Sequence, residues 1–527
     1  MSVLCYILLV VGVYIIFFIF IVVSVGLFEG SIYYSWHVNL LEAASWLLEL
    51  SLSTEDYLCL VMLLFCGVLS LQFSNHYFGE SKTNLNSLII LFLGIMSLLV
   101  ASGNYLSTLV MWEYLGFVSF LLILYYANYN TAHAGNVTLV SSRFGDVGLF
   151  LVVCSGWGNI SSSVLLLTFG YVLVILTKSA AIPFTSWLLE AMRAPTPVSC
   201  LVHSSTLVAA GVWFAVTYGN DIGFNESFII TMCCFSSIIL SASCACYFTD
   251  IKKVVALSTC NNISWCLLYY LLGFSLLSII QLVSHGVAKC MLFMGVGDSL
   301  AGSFSSQQSS NFLSPYYVSL GGGVNSSLLM LLVSGIPFNG VFFSKHFLLS
   351  ENSYSNSISL SLLLAYCIYL TYLYTSRLMF LAGNTLNSNN NSIYNVINII
   401  CLFIIIPSLL NYMLCLNSEE VMGVSGFISL VIIVSQLLGF LGGYKLSLNP
   451  GSGSFWYCQV GGQDIVIGLI YSFWRKLLGV LSTIMFRWEP YSFNGLISSL
   501  QSWNYLSSPF IVAVIGGFLV ILLGLIG

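Results

Sequence analysis

The chain has 527 residues, of which 58% are hydrophobic and only 6% are Asp, Glu, Lys or Arg, for a formal net charge of −5. Soluble domains usually carry about 25% charged residues, so water is not this protein's main solvent. A charge this thinly spread says little about partners and gives no reason to expect nucleic acid among them.

In chain order, the first residues, MSVLCYILLV, carry no basic cluster and no small-residue cleavage site. The run Val10 to Val25 is therefore expected to be a membrane helix, not a signal or Arg-rich transit peptide. Residues 29 to 56 carry Glu29, Glu42, Glu49, Glu55 and Asp56 and no lysine. Segment 1–56 then reads as a first span plus an exposed connection. From 57 to 445 uncharged apolar runs recur, among them Leu88 to Val100 and Leu362 to Leu373. At about 20 residues per span the whole chain accommodates roughly fifteen to sixteen transmembrane helices. Barrel strands would instead alternate apolar and polar residues over about 10-residue segments, so the expected class is an all-α polytopic membrane protein.

Asn384 to Asn395 is rich in asparagine and serine and predicts a loop, and 446 to 463 is turn-rich. Between Asp464 and Arg487 the polar or small positions Gly468, Ser472, Arg475, Lys476, Gly479, Ser482 and Thr483 recur mostly at threes and fours. That narrow polar stripe predicts an amphipathic helix of about 36 Å, ending or kinking at Glu489–Pro490 and resuming briefly through Asn494 to Ser502. It is expected to lie laterally, parallel to the membrane, within segment 446–507, before a C-terminal anchor over 508–527. The sixteen cysteines form neither a CxxC pair nor a Cys/His ligand set, and read as small hydrophobes.

Six charges fall in apolar surroundings: Glu113, Arg143, Asp146, Lys178, Lys289 and Lys345. At about 2.5 to 3.5 kcal/mol each at a helix centre, they would cost on the order of 15 to 20 kcal/mol together. A whole domain's net stability is about 5 to 15 kcal/mol, so these charges must pair, meet trapped water or lose their charge. Arg143 and Asp146, at i and i+3, share a helix face, and a purely structural ion pair is as reasonable there as a functional one. Glu113 has no basic residue within four positions and needs a distant partner or a proton. Lys178 and Lys345 are similarly isolated, and lysine adapts its protonation readily when buried.

Helix breakers stand near both lysines: Pro195 and Pro197 in one stretch, Gly335 and Pro337 in another. Broken backbone survives in lipid only where protein or a water-filled cavity satisfies it, and two such breaks are the expected trace of a duplicated transporter. His203, and His285 with Lys289 at i and i+4 on one helix face, add groups that can carry protons near neutral pH. His203 could equally be an interhelical hydrogen-bonding residue; Cys200 lies three residues before it, but no further metal ligand stands near.

The runs WEYLGFVSFLLI, RFGDVG, TKSAAIPF, LEAMRAPTPVSCLVHSSTLVAAG, DIKKVVALST, HGVAKCMLFM and GIPFNGVFFSK closely resemble the subunit 5 family of NADH-ubiquinone oxidoreductase, over about residues 50 to 380. The family is related to the large subunits of multisubunit sodium/proton antiporters and to two sister subunits of the same respiratory complex. The resemblance implies two symmetry-related half-channels, each with a broken helix. It implies a glutamate at Glu113 paired with Lys178, a hydrated axis continued by His203, His285 and Lys289 and ended by Lys345, and supporting charges at Asp146 and Arg143. Four positions depart from the family pattern: Gln281 for a histidine, His346 for an aspartate, Thr185 for a histidine and Arg193 for a glutamate. The exit near His346 is where the implied route is least defined.

No dinucleotide fingerprint, iron–sulfur spacing or phosphate loop is present, so no cofactor is expected in this chain. The resemblance implies that quinone reduction elsewhere in a mitochondrial inner-membrane complex drives proton movement here. Its partners would be other membrane-arm subunits, including the sister antiporter-like ones, and lipids. Two other readings stay open: a stand-alone cation/proton antiporter, for which the striped helix would have no purpose, and a scaffold subunit that has lost its route.

Overall fold

The computed structural model describes residues 32–41, 44–79, 84–157, 164–219, 223–302, 307–308, 313–315, 329–335, 341–354, 358–383, 386–388, 426–448 and 465–502. The expected first span, most of the asparagine-rich loop, the turn-rich connection after residue 448 and the C-terminal anchor lie outside them. The chain divides into two compact units, 1–464 and 465–527.

The first unit opens with a departure from the expected connection. Residues Ile32–Leu41 (β1) and Ala44–Leu52 (β2) pair antiparallel, with Ile32 opposite Leu52. IYYSWHVNLL is rich in aromatic and β-branched residues, which favour a pleated strand, and a two-residue link at 42–43 suits a hairpin. The sequence's acidic residues obscured that pattern. A second small pair, Leu313–Pro315 (β3) with Leu386–Ser388 (β4), is parallel.

The other main elements among the described residues of the unit are helices: α1 (Thr54–Phe78), α2 (Leu85–Val100), α3 (Tyr105–Ile123), α4 (Tyr129–Trp157), α5 (Val164–Lys178), α6 (Ser186–Ala191), α7 (Thr196–Leu201), α8 (Leu207–Tyr218), α9 (Phe224–Ala245), α10 (Ile251–Leu271), α11 (Ser275–Gly302), α12 (Phe342–Tyr354), α13 (Ile358–Gly383) and α14 (Gly426–Leu448). Nine helical stretches among the described residues are long and apolar enough to cross a membrane, and two more, Leu85–Val100 and Leu167–Lys178, are shorter.

Local chemistry sets several boundaries. Ser53 and Asp56 form a reciprocal cap at the start of α1, which satisfies two donors that the first turn leaves open. Asp56 was expected in the exposed connection, yet it is buried and accepts from the Trp213 indole at 2.7 Å. α5 stops at Lys178 because Ala180 takes a left-handed conformation (φ 53°), uncommon for a residue with a Cβ. Pro195 and Pro197 open α7, where proline's missing donor costs nothing. Between α7 and α8 the chain widens into a π-turn, Val202–Thr206, a distortion common at functional sites.

Two glycine contacts bring backbones together. A Cβ on Gly148 would meet the Gly170 carbonyl at 2.7 Å, and one on Gly170 the Gly148 carbonyl at 2.9 Å, so α4 and α5 cross on small residues, as membrane helices do. A Cβ on Gly211 would meet the Ser179 amide nitrogen at 2.7 Å, so α8 presses directly on the break that follows Lys178.

The centre of this unit is α10, α11 and the α7–α8 stretch. In α11, 94% of the membrane-length window is buried, against 17% in α14, so α11 is an internal axis and α14 an outer wall. At the inner end of α13 the buried Arg377 donates to the Ala245 and Phe248 carbonyls, at 2.7 and 2.9 Å. A cation at the end of α9 is favourably placed against the helix dipole.

The second unit contains α15, Ile465–Ser502. At 38 residues it is longer than expected, about 57 Å at 1.5 Å per residue. It runs through Pro490 instead of ending there; one lost hydrogen bond does not outweigh the helix formed on both sides. Arg475, Lys476, Leu478, Ile484 and Phe486 are all exposed, so its polar and apolar faces are both uncovered.

Candidate functional site: a chain of buried lysines

Three lysines, Lys178, Lys289 and Lys345, are at most 5% exposed. Among the described residues none has a carboxylate oxygen within 4 Å.

Lys178 terminates α5 at the break, and its ammonium makes no hydrogen bond. It lies 5.0 Å from the centre of the Trp112 ring. Together with His203 and Trp187 it lines a cavity whose other walls include Ser119, Thr138, Ser141 and Thr177. The cavity encloses about 20 Å³ of space for water centres, where a single water needs ~10–15 Å³. His203 sits in the π-turn, completely buried. Neither ring nitrogen makes a hydrogen bond of ordinary geometry, though the Ala191 backbone lies alongside. Trp187 donates to the Thr177 carbonyl at 2.9 Å and stands 6.3 Å from the His203 ring, so one side chain ties the broken segment to the π-turn.

The acidic groups lie outside this cavity. Glu113 is hydrogen-bonded to Arg143, which also reaches Asp146 at 3.3 Å. The long-range partner that Glu113 required is thus Arg143, thirty residues away, and not the lysine that the resemblance implied. Arg143 and Glu113 are partly exposed, with 47% and 29% of their side chains open, while Asp146 is buried. Lys178 still lies within electrostatic reach of Asp146 and Glu113.

The route continues on α11. Cys200 Sγ, just before the π-turn, is 3.1 Å from the Cys290 carbonyl, so the His203 segment packs on α11 beside Lys289. Lys289 is hydrogen-bonded to the Ser258 hydroxyl and approaches the Val255 carbonyl at 3.4 Å. One turn back, His285 is fully buried with both ring nitrogens unpaired, in the field of Lys289 and Lys345. One turn further back, Gln281 accepts from Ser344 at 2.6 Å, which joins α11 to α12 next to Lys345. Lys345 donates to the Ser334 carbonyl at 2.9 Å, and its nitrogen is 5.7 Å from the Trp265 ring. Ser334 closes the helical turn at 329–334, where Gly335 (φ 83°) starts the second break.

Among the other departures from the family pattern, Arg193 pairs with Glu190 at 2.7 Å, Thr185 precedes α6, and His346 lies against Phe342 with ring centres 5.5 Å apart. The sequence reading missed Trp112, Trp265, Ser258 and Asn262, whose amide donates to the Ser258 carbonyl at 3.1 Å. Ser258 and Asn262 had a usable signal: polar residues four apart in an apolar helix, which place them on one face. Trp112 adjoins Glu113 in sequence, which by itself gives no sign that the ring faces Lys178. Among the described residues no cluster of His, Cys, Asp or Glu could hold a metal ion.

A bundle with two broken helices around an internal file of lysines and histidines defines an antiporter-like membrane subunit. Residues 102–368 match the family described as NADH:quinone oxidoreductase/Mrp antiporter, TM, and the chain belongs to that family. Relatives include NADH-ubiquinone oxidoreductase chain 5 of Aedes aegypti, 28% identical with 90% of each chain covered. Chain 5 of Caenorhabditis elegans is 34% identical over 63% of this chain and 65% of its own length. Among solved structures, a chain of the Mrp complex from Dietzia sp. DQ12-45-1b superposes with a TM-score of 0.67 at 19% identity, over 92% of this chain and 60% of that longer one. A chain of an archaeal membrane-bound sulfane sulfur reductase gives 0.60 at 15% identity, over 84% and 94%. At such identities the structures speak for the fold.

Proposed function

We propose that this chain is a proton-translocating subunit of an NADH–ubiquinone oxidoreductase in the mitochondrial inner membrane, working beside sister antiporter-like subunits and lipid. The observation that carries the reading is the set of Lys178, Lys289 and Lys345, buried without a carboxylate against any of them among the described residues.

An uncompensated ammonium in a low-dielectric interior is costly, and three together also repel one another. They are best occupied in turn, each gaining a proton as the next gives one up. His203 and His285, with unpaired ring nitrogens, can accept on one nitrogen and donate from the other. The proposed order is Lys178, His203, Lys289, His285 and Lys345. Glu113, Arg143 and Asp146 sit at the Lys178 end as a switch: opening the Glu113–Arg143 pair changes the field that Lys178 feels. Moving one charge against 100 mV costs about 2.3 kcal/mol, and the comparison with chain 5 proteins points to quinone reduction in a neighbouring part of the complex as the source.

The test is proton-to-electron stoichiometry in the assembled complex. Lys345→Met and Lys289→Met are expected to lower it; unchanged stoichiometry in both would overturn the reading. The Mrp likeness supports a second reading, a stand-alone cation/proton exchanger, which purification of the chain alone as an active exchanger would establish.

A further inference from the structure

The two lysines at the helix breaks share a feature that neither the family resemblance nor the relay requires. Lys178 Nζ lies 5.0 Å from the Trp112 ring centre, and Lys345 Nζ lies 5.7 Å from that of Trp265. Trp112 and Trp265 are among the largest fully buried side chains. Buried tryptophans usually spend their N–H on an acceptor, yet neither indole nitrogen here has one among the described residues. Neither ring is held by its polar end.

The arrangement also repeats along the chain. Trp112 lies on α3, α4 follows, and the broken helix with Lys178 comes next; Trp265 lies on α10, α11 follows, and the second break with Lys345 comes next. The same order of ring helix, intervening helix and broken helix occurs in both halves, as duplication predicts. We propose that Trp112 and Trp265 are matched positioning residues, each seating the ammonium of its break lysine on the indole face.

An aromatic face attracts a cation through its quadrupole, most strongly when both are desolvated, and has no such hold on a neutral amine. The seat therefore discriminates between charge states: it keeps the lysine at the break while it carries a proton and frees it afterwards. At Lys178 the ring acts where no hydrogen bond does, against a background of Asp146, Glu113 and Arg143 and with His203 across the cavity. At Lys345 it shares the ammonium with the Ser334 carbonyl, and His285 is the titratable neighbour.

The proposal rests on the proton-translocating reading, and the test separates the two. In the intact complex, Trp112→Leu and Trp265→Leu should each reduce protons pumped per NADH by about tenfold, whereas Trp→Phe at either site, which keeps a weaker face, should stay within about twofold of the parent. The Leu variants should also pump only at more acidic pH than the parent, since the protonated lysine has lost its seat. A packing role would lower assembly without moving that profile. Equal impairment of Leu and Phe variants with an unmoved profile, or normal pumping in Leu variants, would overturn the seat. Normal pumping in Leu variants with loss in Lys178→Met, Lys289→Met or Lys345→Met would leave the proton reading standing; normal pumping in the Leu variants and in all three Lys→Met variants would remove it too. Where a Leu variant does not assemble, biosynthetic replacement by ring-fluorinated tryptophan keeps the shape and weakens the face. A pumping loss that is absent from the Trp112→Phe, Trp265→Phe double variant supports the seat, and no loss overturns it.

Discussion

At the residue scale, Lys178 and Glu113 occupy different surroundings although the family pattern pairs them. Lys178 is sealed among Trp112, His203 and hydroxyls, while Glu113 faces outward onto Arg143. Lys178→Met should reduce pumping sharply in a complex that still assembles, because methionine fills a similar volume and cannot carry a proton. Undiminished stoichiometry in that mutant would remove Lys178 from the route. Glu113→Gln should act in the same direction but less severely, and should free Arg143. If the two act as one unit, the double mutant will be no worse than the worse single mutant, a non-additivity that the cycle measures directly. The lysines themselves were legible in the sequence because an isolated charge in an apolar run is conspicuous. Their companions were not: a tryptophan or a serine in a membrane helix has several ordinary uses, and only the fold shows which face it turns to a lysine.

At the element scale, the breaks were legible from proline and glycine, but not their exact sites. Pro195 and Pro197 did mark one, yet the interruption nearest Lys178 is the stretch just after it, set by Ala180 in a left-handed turn and by the approach of α8 at Gly211. A backbone that must carry both requires contacts from helices distant in sequence, which no local pattern encodes. Gly211→Val should therefore push α8 off Ser179 and cost about 1 to 3 kcal/mol by overpacking, visible as a lower melting temperature of the assembled complex; an unchanged melting temperature would show that the contact yields freely. The hairpin β1–β2 was missed because its acidic residues resembled a loop. The stripe on α15 was legible as a helix, and so was helix beyond Pro490 as far as Ser502; an end at Pro490, one of the two outcomes expected there, does not occur. With both faces uncovered, α15 is expected to serve as a brace against neighbouring subunits. Its removal should weaken assembly before it affects pumping, and a complex that assembles without it but no longer pumps would contradict that role.

At the scale of the whole molecule, membrane class followed from hydropathy alone, because lipid leaves so few ways to satisfy a backbone; against the fifteen to sixteen spans expected, the described residues hold nine helices of membrane length and two shorter apolar ones. The order of burial did not, since α10 and α14 read alike as apolar runs yet one is nearly enclosed and the other is an outer wall. Lys289 is the fifteenth of the 28 residues of α11, close to the middle of the bilayer if that helix crosses it, and the two helix breaks of a duplicated transporter also fall near the midplane. Passage of a proton from one lysine to the next then runs along the sheet of the membrane, across almost no voltage. The membrane potential, about 2.3 kcal/mol per charge for 100 mV, acts instead on loading from one aqueous phase and discharge into the other. A voltage step applied to the reconstituted complex should consequently alter the rates of uptake and release while the internal hand-off keeps its pace.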